Sequence, residues 1–339
     1  MDYRLKENRK EAFINWFGWS LEIEDCDSAL YMTNYFFDRF EYNLEQKYWI
    51  AWLYGTTYYF PTAYLIWNEF PDMELVGVDR LEKWNNENYS RLRYQTDTKW
   101  NKGHLPSQFI SYKNWVDGSS QHERFQQYLT DDPIKNFYTL WDVVNSWHKF
   151  GRYTSWFYLQ TLKQCVGVNL DIDSLWLHDR SGSRSHRNGL CYALGKDDWV
   201  NEKLNKDQID WMEKQGAEIL KETKTRFPNV AHQADFFAME TCLCSFKKLF
   251  RRRDGRYLGY YLDRQAEEIK KVEKDGWFGI DWEPMWDKRS ETLVKDYLTN
   301  SINKDRMNIF LDTGKIDHLA TFSYEMEDVG LGRFFKWKL

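Results

Sequence analysis

Proline is scarce, six in 339 residues, and glycine is held to eighteen. A turn-rich β architecture needs both at its reversals, so their scarcity predicts long helices. No run approaches the roughly 18 apolar residues of a membrane-spanning helix. The charged start MDYRLKENRKE lacks the apolar centre of a secretion signal. The expectation is therefore no membrane partner and no export by a signal peptide. Cysteine is sparse and odd in number: Cys26, Cys165, Cys191, Cys242 and Cys244. Their spacings fit neither a disulfide framework nor a zinc site. They are expected to be reduced core thiols of a cytosolic protein, with no metal and no cofactor. The Gly-Lys-Ser/Thr of a phosphate-binding P-loop is also missing, which disfavours a nucleotide kinase.

What the chain has in excess is aromatic side chains, 18% of all residues, with 18 Trp, 22 Tyr and 22 Phe. They must supply much of the core, and they can also stack on bases or sugars. The net charge of -5 argues against a chain that is basic throughout. Three stretches reverse it locally: Arg91 to Lys102, Arg180 to Arg187 and Lys247 to Arg256. Local patches, not net charge, are what touch phosphates.

Hydrophobic spacing predicts helices over 8–22, 28–40, 45–60, 61–70, 78–94, 204–226, 235–250 and 282–300, with another starting at Asp132-Pro133. Asn43-x-x-Gln46 reads as a capping box, and Asp132-Pro133 as an N-cap followed by proline at the first helical position. The helix after Asn43 is apolar nearly all round, which predicts burial of Trp49 and Trp52, with Tyr64 on the next helix. Phe236, Met239, Leu243, Phe246 and Phe250 form a second core stripe. Residues 91–106 (RLRYQTDTKWNKGHLP) read as a basic loop with Tyr94 and Trp100 interleaved among the cations, a composition that suits a nucleic-acid strand. With no strand-rich region, no repeat and no linker, the fold class is all-α. It is read as a single large helical domain over 1–339, with a two-lobed division and a cleft near 147–191 as the variant of that reading.

Chemistry-bearing residues concentrate between Trp147 and Cys191. Gly151 stands at a turn just before an apolar helix, where backbone N–H groups and the helix dipole favour an anion. The pattern Phe150-Gly151-Arg152-Tyr153-Thr154-Ser155 resembles the second turn and helix of the helix-hairpin-helix element of base-excision DNA glycosylases, although one glycine stands where that motif usually has two. In those enzymes an aspartate at the base pocket follows the hairpin. Here Asp179 lies 28 residues after Gly151. Around it, Arg180, Ser181, Gly182, Ser183, Arg184, Ser185, His186, Arg187 and Asn188 form a dense, loop-like cluster. Asp179 is a candidate base, and Arg180, Arg184, His186 and Arg187 are charge-assisted donors that suit a phosphate.

Longer segments carry a second resemblance. EQKYWIAWLYGTTYYFPTAYLIWNEFPD, RLRYQTDTKWNKGHLP, FGRYTSWFYLQTLK, SGSRSHRNGLCYALG, FAMETCLCSFKKLF and GRYLGYYLDRQ are similar to the bacteriophage amino acid:DNA transferases, formerly called alpha-glutamyl/putrescinyl-thymine pyrophosphorylases. The similarity spans roughly residues 10–300. It implies an all-α fold like that of the helix-hairpin-helix DNA glycosylases and a step of thymidine hypermodification. A separate kinase phosphorylates 5-hydroxymethyluracil in double-stranded phage DNA, and the transferase displaces phosphate or pyrophosphate with the amine of a free amino acid. The setting implied is the cytoplasm of the infected bacterium.

On that basis Asp179, His186, Arg184 and Arg187 are expected to be catalytic. Arg180, Ser181, Ser183, Arg184 and Arg187 would bind the leaving phosphate. Gly151, Arg152 and Thr154 would hold the DNA backbone around a flipped base. Asn43, Gln46, Arg91, Gln95, Asp97, Arg256 and Asp263 are candidates for the base or amino-acid pocket, with Glu240 and Arg264 beside them. A minor route has Cys191 add to the pyrimidine ring. Competing expectations are a DNA glycosylase acting on a modified pyrimidine and a non-catalytic DNA-binding module.

Overall fold

The structure is a computed structural model. It describes residues 2–22, 24–178, 184–250, 261–277 and 279–283, with backbone alone for residue 28 and for 261–267. Asp179, Arg180, Ser181, Ser183 and Arg256, and nearly all of the helix expected over 282–300, lie outside the described residues, as do the side chains of Asp263 and Arg264. Among the described residues there is no strand, in accord with the all-α expectation. No described helix is long and apolar enough to cross a membrane.

The chain divides into two compact units, each built from separate stretches of sequence. The described residues within Met1–Asp27 and Ser174–Arg264 form unit 1, and those within Ser28–Asp173 and Gln265–Lys288 form unit 2. Unit 1 contains α1 (Arg9–Glu22), α10 (Arg184–Ala193), α11 (Lys206–Arg226) and α12 (Phe236–Phe246). Unit 2 contains α2 (Ser28–Arg39), α3 (Leu44–Thr57), α4 (Phe60–Glu69), α5 (Val78–Asn88), α6 (Leu105–Val116), α7 (Gln121–Gln126), α8 (Pro133–Asn145) and α9 (Arg152–Thr161). The last described helix, α13 (Tyr261–Lys274), begins in unit 1 and continues into unit 2.

Unit 2 is organised around α3. Asn43 accepts from the Gln46 N–H while the Gln46 side chain accepts from the Asn43 N–H, the reciprocal cap its spacing predicts. Ten consecutive residues, Tyr48 to Thr57, are buried. Trp52 stacks on Trp49 at 5.3 Å and on Tyr112 at 5.2 Å between ring centroids, and the Trp49 indole N–H donates to the Phe70 carbonyl at 2.7 Å. At Gly55 a Cβ would fall 2.9 Å from Cβ of Tyr158, so glycine sets the distance between α3 and α9. Asp132 accepts from the N–H groups of Ile134 and Lys135 at the start of α8. Trp49, Trp52 and Tyr64 are buried as expected.

In unit 1 the expected stripe is buried at Phe236, Met239, Leu243 and Phe246, while Phe250 is half-buried beneath the Arg9 guanidinium, 4.4 Å from its ring centroid. The sulfurs of Cys26 and Cys242 lie 3.2 Å apart in this core as free thiols. Backbone meets backbone between α10 and α12: a Cβ at Gly189 would lie 2.1 Å from the Leu243 carbonyl oxygen.

Three expectations are corrected. The helix from residue 78 ends at Asn88 and not 94. The Asn88 amide turns back to the Trp84 carbonyl at 2.8 Å, and asparagine side chains that bond nearby backbone compete with helix continuation. The basic stretch expected as a loop contains a 3-10 helix, Thr96–His104. Residues 184–188, read as part of a loop, lie in α10; their serine content disfavours an isolated helix, but packing on α12 overrides it. Gly189→Ala is expected to lower stability by about 1–3 kcal/mol, the usual cost of overpacking, read as a lower urea midpoint. An unchanged midpoint would show that the two backbones do not meet there.

Candidate active site

Gly189 removes the side chain that would hold α10 away from α12, and the residue one turn earlier on α10 is His186. It is 2% exposed. Its Nε2 is 3.1 Å from the Leu175 carbonyl and its Nδ1 is 3.2 Å from Oε1 of Glu240, on α12. With Nε2–H donating to a carbonyl, Nδ1 and the carboxylate face each other as two acceptors, an arrangement that needs a proton or a cation between them. Cys244 Sγ lies 3.4 Å from the same carboxylate oxygen. One ligand atom from each of His186, Glu240 and Cys244 falls within 4.8 Å of the others. These are the side chains that could hold a metal, with the mixed N, O and S donors that zinc accepts; a proton on Nδ1 would serve the same geometry. Burial pushes the Cys244 thiol up to about 12, with the Glu240 charge second. Lys247 donates to the Ser185 hydroxyl beside this cluster.

The outer face of α10 is cationic. Arg184 Nη1 donates to the Asn201 carbonyl at 3.2 Å and Arg187 Nη2 to the Glu202 carbonyl at 3.1 Å. Asn188 and Asn201 exchange two further bonds, 2.7 and 3.1 Å. Both guanidiniums are thus held on one turn, leaving N–H groups to spare. Burial, and then the neighbouring Arg184 charge, lower Arg187 from its ordinary value. A bound anion would relieve that repulsion through charge-assisted bonds.

The segment leading to residue 179 is clamped from four directions. Glu213 on α11 accepts from the N–H of Leu175 at 2.9 Å with one carboxylate oxygen and from the N–H of Leu177 at 2.6 Å with the other. His186 takes the Leu175 carbonyl. Ser174 Oγ accepts from the Trp176 N–H at 3.3 Å, and His178 Nε2 meets Asp210 at 2.6 Å. Trp176 itself sits in the left-handed region, φ 56°, a conformation that bulky residues hold only when their surroundings impose it. Burial raises the Glu213 carboxyl above the ordinary glutamate range, outweighing the two backbone N–H bonds, which pull it down. Sequence reading missed Glu213 because its partners are backbone groups more than thirty residues away. Cys191 is fully buried, and burial pushes its thiol up to about 12, so at neutral pH it is a protonated core thiol.

In unit 2, α8, the turn over 146–151 and α9 form a helix–turn–helix, with the Ser155 hydroxyl donating to the Asn145 amide oxygen at 3.2 Å. Gly151 is the exposed N-cap residue of α9, and a Cβ there would meet no atom within 4 Å. Its φ of -93° is open to any residue, so neither strain nor crowding calls for glycine. Arg152 packs its guanidinium 5.5 Å from the Trp156 ring centroid, and the Thr154 side chain is buried.

The pocket candidates fall into two local structures. Asn43 and Gln46 cap α3 and line a surface pocket of about 480 Å³ with Glu45, Trp49, Asp72 and Gln121. Arg91 and Gln95 instead tie down the polypeptide after α5. Arg91 donates to the Gly276 carbonyl at 3.3 Å and lies 4.2 Å over the Trp277 ring, and Gln95 donates to Glu268. Asp97 is exposed in the first turn of Thr96–His104.

A buried acid–imidazole pair, an arginine pair on the other face of α10 and the tightly held segment 174–178 thus come together in unit 1. The amino acid:DNA transferase family matches residues 25–255, and the chain belongs to that family: it is a transferase of phage DNA modification. Among curated proteins it is similar to a serinyltransferase of Salmonella phage ViI, 27% identical over 346 residues, covering 94% of this chain and 84% of the relative. No solved structure matches.

Cys191→Ser is expected to retain full transfer activity; a loss with the fold intact would restore the thiol to the chemistry. For Glu213 the sign is set by its raised value. The folded chain binds this proton more tightly than the unfolded chain, so this group's contribution to stability falls as pH rises from the ordinary glutamate range through the raised one. The stability of wild type minus that of Glu213→Gln, from urea midpoints over a pH series, should decline across that window. A flat difference would contradict the burial of the carboxylate.

Proposed function

We propose that this transferase joins the amine of a free amino acid to the 5-methylene of a phosphorylated 5-hydroxymethyluracil in double-stranded DNA, within the cytoplasm of the infected host. The amine nitrogen forms a bond to the methylene carbon. The bond from that carbon to the phosphate oxygen breaks, and phosphate or pyrophosphate leaves with the electron pair. The ammonium proton passes to Asp179, at the end of the clamped 174–178 segment. Arg184 and Arg187, with Arg180 and the hydroxyls of Ser181 and Ser183, neutralise the charge developing on the leaving group. His186 acts from beneath, by holding the Leu175 carbonyl.

The observation that carries this reading is the pair of guanidiniums fixed on the first turn of α10, five and eight residues after Asp179. A glycosylase has no anionic group on the base to stabilise and no use for them. The helix–turn–helix with Gly151 at its second helix supports a role like that of the helix-hairpin-helix of DNA glycosylases. The N–H groups of Arg152 and Thr154 would lie against a phosphate while the target base leaves the stack. The name of the phage relative makes serine the first donor to test.

The test is a mass analysis of nucleosides after incubating the protein with DNA carrying 5-phosphomethyluracil and a mixture of amino acids. The expected product is a nucleoside in which one amino acid replaces the phosphate, with serine leading. Release of free base would replace this reading with a glycosylase, and an unchanged profile beside firm DNA binding would leave a binding module. Asp179→Asn is expected to lower the transfer rate at least 100-fold, within the range that general-base catalysis supplies, with DNA affinity unchanged. Equal turnover by that variant would remove Asp179 from the mechanism.

A further inference from the structure

Trp100 is 77% exposed. An indole left this open to water is unusual in a chain whose other large aromatics pack so densely, as the stacked Trp49 and Trp52 show. The side chain sits on a well-tethered segment, the 3-10 helix Thr96–His104. Thr98 donates its hydroxyl to the Thr57 carbonyl at 2.7 Å, and the Gln95 N–H reaches the same carbonyl at 3.3 Å. The Asn101 amide donates to the Lys149 carbonyl at 3.2 Å, binding the segment to the turn that precedes Gly151. The rings of His104 and His148 lie 5.8 Å apart, and the His148 N–H donates to the Ser111 hydroxyl at 3.0 Å. The open indole is therefore carried on a framework fixed at both ends.

The surroundings are cationic although the chain is acidic overall, -5. Lys99 lies 5.4 Å from the Trp100 ring centroid, and Lys102 lies 4.5 Å from that of Tyr89, itself 48% exposed. Lys149 and His148 are exposed on the adjoining turn, and Asp97 is the one carboxylate within 96–104 and 148–152. Burial, and then the Arg93 charge, lower Lys102 from its ordinary value, with Asp275 opposing them. An exposed aromatic face flanked by lysines matches a single nucleic-acid strand, in which bases offer flat faces and phosphates follow on either side.

We propose that Trp100 is a stacking platform for an unstacked nucleobase of the bound DNA, with Lys99, Lys102 and Lys149 on the flanking phosphates. The assignment rests on the DNA-acting reading above and adds to it the residue that contacts a base where the duplex has been opened. It also accounts for the exposure, because a nucleobase covers the indole when DNA is bound.

The experiment uses the full chain with a single strand carrying 2-aminopurine, and with a duplex in which 2-aminopurine sits beside a mismatch. Wild type is expected to quench the 2-aminopurine emission, Trp100→Ala to abolish the quench, and Trp100→Phe to keep most of it. Affinity for the single strand should fall between roughly 5-fold and 150-fold in Trp100→Ala, the loss that about 1–3 kcal/mol per stacked base corresponds to. The slope of log affinity against log salt should stay unchanged in that variant. In Lys99→Ala and Lys102→Ala the slope should shrink by about 0.7 each, the single-strand value for one phosphate contact. Equal quenching and affinity in wild type and Trp100→Ala overturn the platform while leaving the transfer reaction standing. Loss of self-association in Trp100→Ala, with DNA binding intact, overturns it in favour of a second copy of the chain. A wild type that binds no DNA overturns both this assignment and the reading beneath it.

Discussion

The contact on which unit 1 depends is backbone against backbone, Gly189 of α10 on Leu243 of α12. Two helices this close leave no room for a spacer, so the residues one turn away on each, His186 and Glu240, are pressed together out of water. Burying an imidazole and a carboxylate is costly unless each is satisfied, and here Nδ1 of His186 and the Glu240 carboxylate meet as two acceptors that a shared proton or cation would bridge. The same contact rotates the rest of α10: with His186 inward, Arg184 and Arg187 face the 201–202 carbonyls. Inner and outer faces of one ten-residue helix therefore do different work, the inner fixing the backbone at Leu175 and the outer presenting cations.

Unit 2 solves a different problem. Its core is made of rings, and flat side chains pack densely only in a few mutual orientations. Trp49, Trp52 and Tyr112 stack, Phe109 meets both tryptophans edge-on, and Gly55 lets Tyr158 approach the α3 backbone. Large, rigid side chains make such a core intolerant of small shifts. That stiffness suits surface elements that must stay in place without a ligand, namely the Gly151 turn and the Thr96–His104 segment.

Much of the fold was legible because its signals are local. Asn43-x-x-Gln46 and Asp132-Pro133 mark helix starts through the side chain's own reach, and the stripe from Phe236 to Phe246 declares its buried face by spacing alone. What was not legible depends on partners distant in sequence. Nothing near Arg184 to Asn188 indicates a helix, since only α12 makes one favourable. His186 looks like a surface donor until Glu240, 54 residues on, is seen beside it. Glu213 reads as one more charge on an amphipathic helix, because backbone N–H groups leave no mark in the sequence. Arg91 and Gln95, candidates for a pocket by residue type, also bond Gly276 and Glu268, contacts that the sequence does not announce. The candidate site was therefore recognisable by its chemistry, while its supports were not.

The chain enters unit 1 with α1, leaves it, and returns at residue 174. Phe13, Ile14, Trp16, Phe17 and Leu21 of α1 are buried in the finished unit, yet α10, α11 and α12, on which α1 packs, are synthesised some 150 residues later. At roughly 5–20 residues per second the ribosome holds α1 without its partners for on the order of 10 s. Unit 2 has most of its residues in that interval and can condense first. The nascent protein is then a folded aromatic body trailing an apolar N-terminal helix in search of a core, a state in which chaperones or neighbouring nascent chains compete for the same surface.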